Sequence, residues 1–395
     1  MKKGWEYKKL GEVGTFKRGG NFSKKDFIEK GFPCIHYGQI HMKFGIETFK
    51  HLSSVPAEMV KPDRCAQKGD LVIAVTSEDD AGSCKCTAWM GDYEAYVGGH
   101  AAIYRHTMEP KYVSYYFMSP YFQKAKLEYT HGFKVVEINP KDIANISIPV
   151  PPLSEQKEIV EYLDYSFAKI DKLKENAAKN LEEAKALFQS ALKDALEPKE
   201  GWEEKTLEDI CDFIRGPFGG SLKKDCFKER GYAVYEQQNA IYNRFTFRYY
   251  IDEVKYQSMI RFKVNPGDLI MSCSGTIGKV AIIPQNAEAG IINQALLKLT
   301  PHKEIKAHYL KYLMESKYFE EIINANIEGV AIKNIASVAT LKKIAIVIPS
   351  ISEQQSIVSY LDSLNEMVNT LQQNYSRICD ECDALKQAIL RQVFE

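Results

Sequence analysis

No stretch of this sequence stays apolar for long. The longest runs, Leu71 to Val75 and Ile344 to Ile348, fall far short of the roughly 20 residues that span a bilayer. No apolar h-region follows the opening Met1-Lys2-Lys3-Gly4-Trp5-Glu6, so a soluble, cytoplasmic chain is expected. Net charge is absent too, since 52 Lys and Arg balance 52 Asp and Glu. The nine cysteines lack the spacing of a disulfide framework and read as reduced thiols. Apolar material is plentiful, however: 45% hydrophobic and 11% aromatic residues over 395 positions suffice for two cores and exclude a disordered chain.

Motifs of catalysis and ligation are also missing. Ser274-Gly275-Thr276-Ile277-Gly278-Lys279 shares only its Gly-Lys ending with a phosphate-binding loop, its spacing is too short, and no Ser or Thr follows the lysine. Cys84-x-Cys86 and Cys379-x-x-Cys382 have no second pair at zinc-ligand spacing. Val150-Pro151-Pro152-Leu153 lacks both the acid or amide and the aromatic of an adenine methyltransferase signature, and Glu304-Ile305-Lys306 has no upstream acidic partner. A cofactor-binding glycine motif is not found. The chain is therefore expected to be non-catalytic, without metal or cofactor of its own.

What is present is a repeat at an offset near 197 residues. Gly4-Trp5-Glu6 with Leu10-Gly11-Glu12-Val13 returns as Gly201-Trp202-Glu203 with Leu207-Glu208-Asp209-Ile210, and Phe16-Lys17-Arg18-Gly19 as Phe213-Ile214-Arg215-Gly216. Lys68-Gly69-Asp70 returns as Pro266-Gly267-Asp268, and Tyr112 and Tyr115 with Ser119 as Tyr309 and Tyr312 with Ser316. The strongest match pairs Pro151-Pro152-Leu153-Ser154-Glu155-Gln156 and Ile159-Val160-Glu161-Tyr162-Leu163-Asp164 with Pro349-Ser350-Ile351-Ser352-Glu353-Gln354 and Ile357-Val358-Ser359-Tyr360-Leu361-Asp362. A period this long makes each copy a domain rather than a solenoid unit.

Ser154 and Ser352 read as N-caps of long helices. From Ile357 the apolar positions Leu361, Leu364, Val368, Leu371, Tyr375, Ile378, Cys382, Leu385 and Ile389 step by four and three, a heptad seam. The first copy has a weaker seam of the same phase: Ile159, Leu163, Ser166, Ile170, Leu173, Ala177, Asn180, Ala184, Leu187 and Ala191. Either the two helices form a coiled coil, or each lies on its own domain. Only Glu197 to Glu200 join the first helix to the second copy. A forty-residue helix is about 60 Å long, whereas a domain of this size has a radius of gyration of only about 15 Å. An antiparallel pair with a domain at each end follows as the expectation.

The predicted fold class is thus α/β (α+β), a pseudo-two-fold tandem repeat. Its parts are 1–153 (first globular domain), 154–197 (first helical spacer), 198–351 (second globular domain) and 352–395 (second helical spacer). Short strands are predicted at Asp70–Val75, Ala101–Tyr104, Asp268–Cys273 and Ile344–Ile348, and helices over Lys111–Leu127 and Lys306–Ile323. Segment 154–197 holds 7 basic and 10 acidic residues and segment 352–395 holds 3 and 7, so the globular parts carry the compensating excess of positive charge. That segregation suits nucleic acid.

Tandem Gly-Trp domains, each closed by Pro-x-(Leu/Ile)-Ser-Glu-Gln-x-x-Ile-Val-x-Tyr-Leu-Asp opening a long helix, resemble the specificity subunits of type I restriction-modification systems (the HsdS family). The resemblance covers essentially the whole chain. It implies two target recognition domains that each read half of a split site in double-stranded DNA, and helices that set the gap. It also implies partnership with two methyltransferase and two endonuclease subunits, which would bind S-adenosylmethionine, ATP and Mg.

Within that frame the candidate DNA contacts are basic and amide-bearing positions that flank the recurring scaffold. Arg18, Lys24 and Lys25, with Arg215, Lys223 and Lys224, follow the opening strands and suit phosphates, as do Lys134, Lys333 and Asn334. His36, Gln39 and His41 face Gln237, Gln238 and Asn239, groups able to pair with base edges. The acidic loop Val75–Gly82 opposes the glycine-rich Cys273–Lys279, in which Ser274, Thr276 and Lys279 are candidates, so the two domains are expected to read different half-sites. All the basic candidates are equally readable as solvated surface groups. Two competing classes remain: a self-contained methyltransferase or nuclease, which would need the missing glycine motif, and a purely structural scaffold, which would leave the charge segregation unexplained.

Overall fold

The computed structural model describes residues 4–132, 135–218, 220–273, 276, 278–326 and 338–395. Two compact units divide the chain, one containing the residues up to Ala178 with Tyr375–Glu395, the other Lys179–Asn374. Each unit takes part of both long helices, Leu153–Leu196 and Ile351–Phe394, so helical segment and globular domain share one core.

The first unit is built on a five-stranded sheet in the order Gly14–Arg18, Ala101–His106, Leu71–Ala74, Cys86–Trp89, Glu47–Thr48. A four-stranded sheet, Ser53–Val55, Phe32–Ile35, Ala95–Val97, Cys65–Ala66, accompanies it. The strand Leu71–Ala74 is an uninterrupted apolar run because both its faces are covered. Leu71 and Ile73 join the core beneath the long helices, while Val72 and Ala74 join a second cluster with Ile35, Ile40 and Trp89. The second unit repeats the plan with Cys211–Arg215, Leu296–Pro301, Leu269–Ser272, Val280–Ile282, where Leu269 and Met271 face one cluster and Ile270 the other. In both, the opening strand pairs antiparallel with the strand that leads into the long helix, Glu6 opposite Val150 and Glu203 opposite Ile348.

The recurring motif is a clamp between helix and domain. The Trp5 indole Nε1 donates to Glu155 at 2.9 Å, and Trp202 Nε1 to Glu353 at 3.2 Å. Buried Gln156 donates to Pro151 O at 2.8 Å and accepts from Glu109 N at 2.9 Å; Gln354 does the same with Pro349 O at 3.0 Å and Lys306 N at 2.8 Å. Tyr115 and Tyr312 donate their hydroxyls to Asp164 and Asp362 at 2.6 and 2.7 Å. The recurring polar residues are thereby satisfied where burial would otherwise penalise them.

Three expectations need correction. Ser154 and Ser352 are not N-caps, because the helices begin at Leu153 and Ile351; in the second copy Ser350 Oγ accepts from Glu353 N at 3.3 Å instead. The tyrosine-rich helices are each broken in two, Pro110–Met118 with Pro120–Lys126 and Ala307–Glu315 with Lys317–Asn326. Ser119 and Ser316 cause the break by capping the following helix, accepting from Phe122 N and Phe319 N.

The third correction is the phase of the first helix. Leu173 and Leu187 point outward, 57% and 71% exposed, while Val160, Leu163, Phe167, Ile170, Leu181, Leu192 and Leu196 are buried. A straight helix drifts about 20° per heptad against a seven-residue repeat, so a strict heptad reading loses the face over 44 residues. Within the first unit the two helix segments run antiparallel: Lys174 meets Asp383 at 2.9 Å and Asp171 meets Lys386 at 2.6 Å. Leu390, Val393 and Phe394 enter its core, with Phe394 against Tyr112 and Tyr116. In the second unit Leu192 and Leu196 pack with Ile357, Val358 and Leu361, again antiparallel.

Candidate nucleic-acid interface

Beside the edge strand Gly14–Arg18 of the first unit lies an open groove lined by Arg18, Asn21, Phe22, Ser23, Asp26 and His100. Arg18 is held there, Nε donating to Gly99 O at 2.8 Å and Nη2 to Glu137 at 2.5 Å. Ser23 starts the short helix Lys24–Asp26 by accepting from Lys25 N at 3.3 Å, and Asp26 accepts from Ser23 N at 2.7 Å. That turn leaves Lys24 and Lys25 exposed at the rim, without an ion-pair partner among the described residues.

The amides and imidazoles singled out from the sequence divide sharply. His36 is 8% exposed and caps the helix Tyr37–Met42, its Nδ1 accepting from Gly38 N at 3.2 Å. Burial, with Lys24 and His100 nearby, holds its pKa below the ordinary histidine value. Gln39 closes the same capping box, accepting from His36 N at 3.0 Å and donating to Ser53 at 2.7 Å. Its counterpart Asn239 is fully buried, accepting from Glu236 N at 2.7 Å and donating to Arg244 O at 2.6 Å. These three side chains build the helix start: His36 Nδ1, the Gln39 amide and the Asn239 amide all have partners within the fold. Gln237 and Gln238 precede Asn239 and are half-buried, with Gln238 Nε2 3.3 Å from Glu236. His41 is half-buried, Nε2 3.1 Å from Thr76 O, and packs edge-on to Tyr37.

In the second unit Arg215 is exposed beside the Cys273 thiol, whose pKa burial raises and Arg215 partly offsets. Lys223 lines a separate open groove with Lys228 and Lys255 among Asp225 and Asp252, and Lys224 begins a short helix at its side. Thr276 and Lys279 are exposed in the turn joining Leu269–Ser272 to Val280–Ile282, braced by Ser272 Oγ, which donates to Thr276 O at 2.6 Å and accepts from Lys279 N at 3.0 Å. A strand-to-strand hairpin is not the strand-to-helix loop that cradles phosphates in nucleotide-binding proteins. Lys134, Ser274, Lys333 and Asn334 lie outside the described residues. Among the described residues no three His, Cys, Asp or Glu side chains converge as a metal site, and no helix is long and apolar enough to cross a membrane.

Sequence reasoning passed over His100, which borders the Arg18 groove, and two exposed apolar side chains at the C-terminal position of matching short helices, Met42 (80% exposed) and Tyr242 (68%). Met42 and Tyr242 interrupt no pattern and carry no charge, so nothing in the residue string marks them. His100 follows Gly98-Gly99, a turn signal that could have flagged it.

A model of the type I restriction modification DNA specificity domain matches residues 2–183 and again 199–378. The chain belongs to the type I specificity family. Among its relatives are the StySPI specificity subunit of Salmonella potsdam, 20% identical over 419 residues that span 100% of this chain and 89% of that protein. The EcoKI specificity subunit of Escherichia coli K12 is 21% identical over 424 residues, again 100% and 89%. Its fold is that of a chain solved in work on complex assembly and conformational transition of the type I R-M system, with TM-score 0.80, 20% identity and coverage of 100% and 98%. The HsdS subunit of Thermoanaerobacter tengcongensis aligns with TM-score 0.60 at 20% identity, over 99% and 96%. As a specificity subunit the protein recognises DNA sequence, and its two repeat copies are the two specificity domains.

Proposed function

We propose that this specificity subunit reads a bipartite, asymmetric site in double-stranded DNA, one half with each domain, and that it is itself non-catalytic. Adenine methylation and cleavage are the work of two methyltransferase and two endonuclease subunits, which supply S-adenosylmethionine, ATP and Mg, in the cytoplasm. One observation carries this reading: the residues that recur between copies hold helix to domain, Trp5, Gln156 and Tyr115 as Trp202, Gln354 and Tyr312. Around Arg18 and Arg215 the run Lys-Lys-Asp recurs, as Lys24-Lys25-Asp26 and Lys223-Lys224-Asp225, but other exposed side chains such as Asn21 and His100 do not, and differing readers on a common frame give differing half-sites. Lys24, Lys25, Lys223, Lys224 and Lys279 are assigned to phosphates, which position without reading.

The test is methylation mapping by long-read sequencing of the chain co-expressed with its methyltransferase partner. A chimera in which residues 4–153 replace the second globular domain should give a site whose two halves both carry the first domain's sequence. A chimera whose site stays asymmetric, or loses the first half-site, would sink the modular reading.

A further inference from the structure

Taking the first domain as the reader of one half-site, we infer that His100 is a base-edge contact of that domain, positioned by Thr76. His100 is exposed and borders the Arg18 groove, in the Gly98–His100 turn between the strands Ala95–Val97 and Ala101–His106. The turn is fixed by its backbone: Gly98 N donates to Ile35 O at 3.0 Å, Ala101 N to Gly98 O at 2.9 Å and Val75 N to His100 O at 3.0 Å. Its imidazole is fixed as well. Nδ1 lies 3.2 Å from Thr76 Oγ1, and the Tyr37 ring flanks it at 5.1 Å between centroids. Thr76 is only 8% exposed, and its carbonyl is engaged by His41 Nε2 at 3.1 Å, so the anchor itself is immobilised. An exposed aromatic side chain with one nitrogen tied down and the other, Nε2, without a partner among the described residues is a preorganised single hydrogen-bonding group.

Its neighbours narrow what that group meets. Arg18 is committed to Gly99 O and Glu137, and Ser23 and Asp26 to each other. Asp26 lines the groove and Glu137 neutralises Arg18, which makes the groove unfavourable for a phosphate, whereas Lys24 and Lys25 beside it suit the backbone on either side. A base edge in the major groove fits: Nε2–H donates to a purine N7, guanine O6 or thymine O4, or bare Nε2 accepts from an exocyclic amine, and the Thr76 hydroxyl serves either tautomer because it can accept from Nδ1–H or donate to bare Nδ1. The second domain carries Ala295 at the matching position, its carbonyl accepting from Cys273 N at 2.9 Å as that of His100 does from Val75 N. A histidine confined to one copy is what a difference between half-sites requires.

The experiment is methylation mapping and competition binding of the complex formed with its methyltransferase partner, for the unaltered chain, H100A and T76V. H100A should become degenerate at one base pair of the first domain's half-site, with a roughly tenfold to hundredfold loss of discrimination there. The other half-site and the gap should not change. T76V, isosteric but unable to hold Nδ1, should show a smaller loss at that same base pair with an unaltered melting temperature, which a merely structural hydroxyl would not produce. Maps for H100A and T76V identical to the unaltered chain, or binding weakened evenly over all sequences, would overturn the assignment. An unaltered chain that yields no bipartite site would overturn the underlying reading instead.

Discussion

Asp70 and Asp268 stand at the same turn of the two domains, each accepting the backbone N–H three residues earlier, from Gln67 and from Asn265, at 2.8 Å. Both are buried, 3% and 2% exposed, yet their counter-charges come from different places. In the first domain Arg105 reaches Asp70 with Nη2 at 2.7 Å and Nε at 3.1 Å from a side chain half in solvent. In the second, register puts Thr300 at that position, donating to Asp268 at 2.7 Å, and the cation moves two residues along the strand to Lys298, buried at 3.4 Å where the first domain has Ile103. The turn fixes the acid, because a backbone N–H must be satisfied. The base is free to migrate along the same face of the strand, and with it how deeply the charge is buried.

That difference should be largest in stability. Lys298→Met leaves a buried carboxylate without its cation and should cost about 3–5 kcal/mol in urea unfolding. Arg105→Met, removing a half-exposed partner, should cost about 1 kcal/mol. Moving the charge back with Lys298→Ile and Thr300→Arg should recover most of the loss, and a double variant no better than Lys298→Met would show that the two arrangements are not interchangeable.

Acid should separate the domains next. Burial holds His106 to about 4, against an ordinary 6.5, and neither ring nitrogen has a partner among the described residues. The matching residue in the second domain is Pro301, which does not titrate. With a folded-state pKa below the unfolded one, the stabilisation is whole above pH 6.5 and is lost as pH falls from there towards 4, by about 3 kcal/mol. Hydrogen exchange followed through that range should show the first domain loosening, and His106→Leu should flatten the dependence. Where the copies agree, effects should agree: Gln156→Ala and Gln354→Ala each strand buried backbone groups and should lower stability by about 2 kcal/mol to within experimental error. Calorimetry showing one of them neutral would break the equivalence of the clamps.

Much of this arrangement was legible. The repeat, both long helices and the strands around Leu71 and Leu269 follow from spacing and apolar runs, because those patterns are set by burial on whole faces. The clamp residues were visible as recurring letters but not as contacts, since Trp5 and Glu155 meet across 150 positions of sequence. The capping role of Gln39 and Asn239 was not legible for a physical reason: an amide that closes a capping box and one that reads a base look alike until the N–H it serves is located. The turn before His100 was readable, but its anchor was not: Thr76 comes from another strand pair, and no periodicity reports such a meeting.

Leu390, Val393 and Phe394 sit in the core of the first unit, among Tyr112, Tyr116 and Leu163. A ribosome delivers the rest of that core long before it delivers these side chains. At 5–20 residues per second the interval is roughly 10–40 s, during which the nascent first domain carries an unfilled aromatic socket while the second is still being made. Synthesis order and folding order are therefore out of step in this chain. The first domain to leave the ribosome is finished only once these side chains follow, and ribosome profiling with time-resolved proteolysis would find it protease-sensitive until Leu390 to Phe394 have emerged.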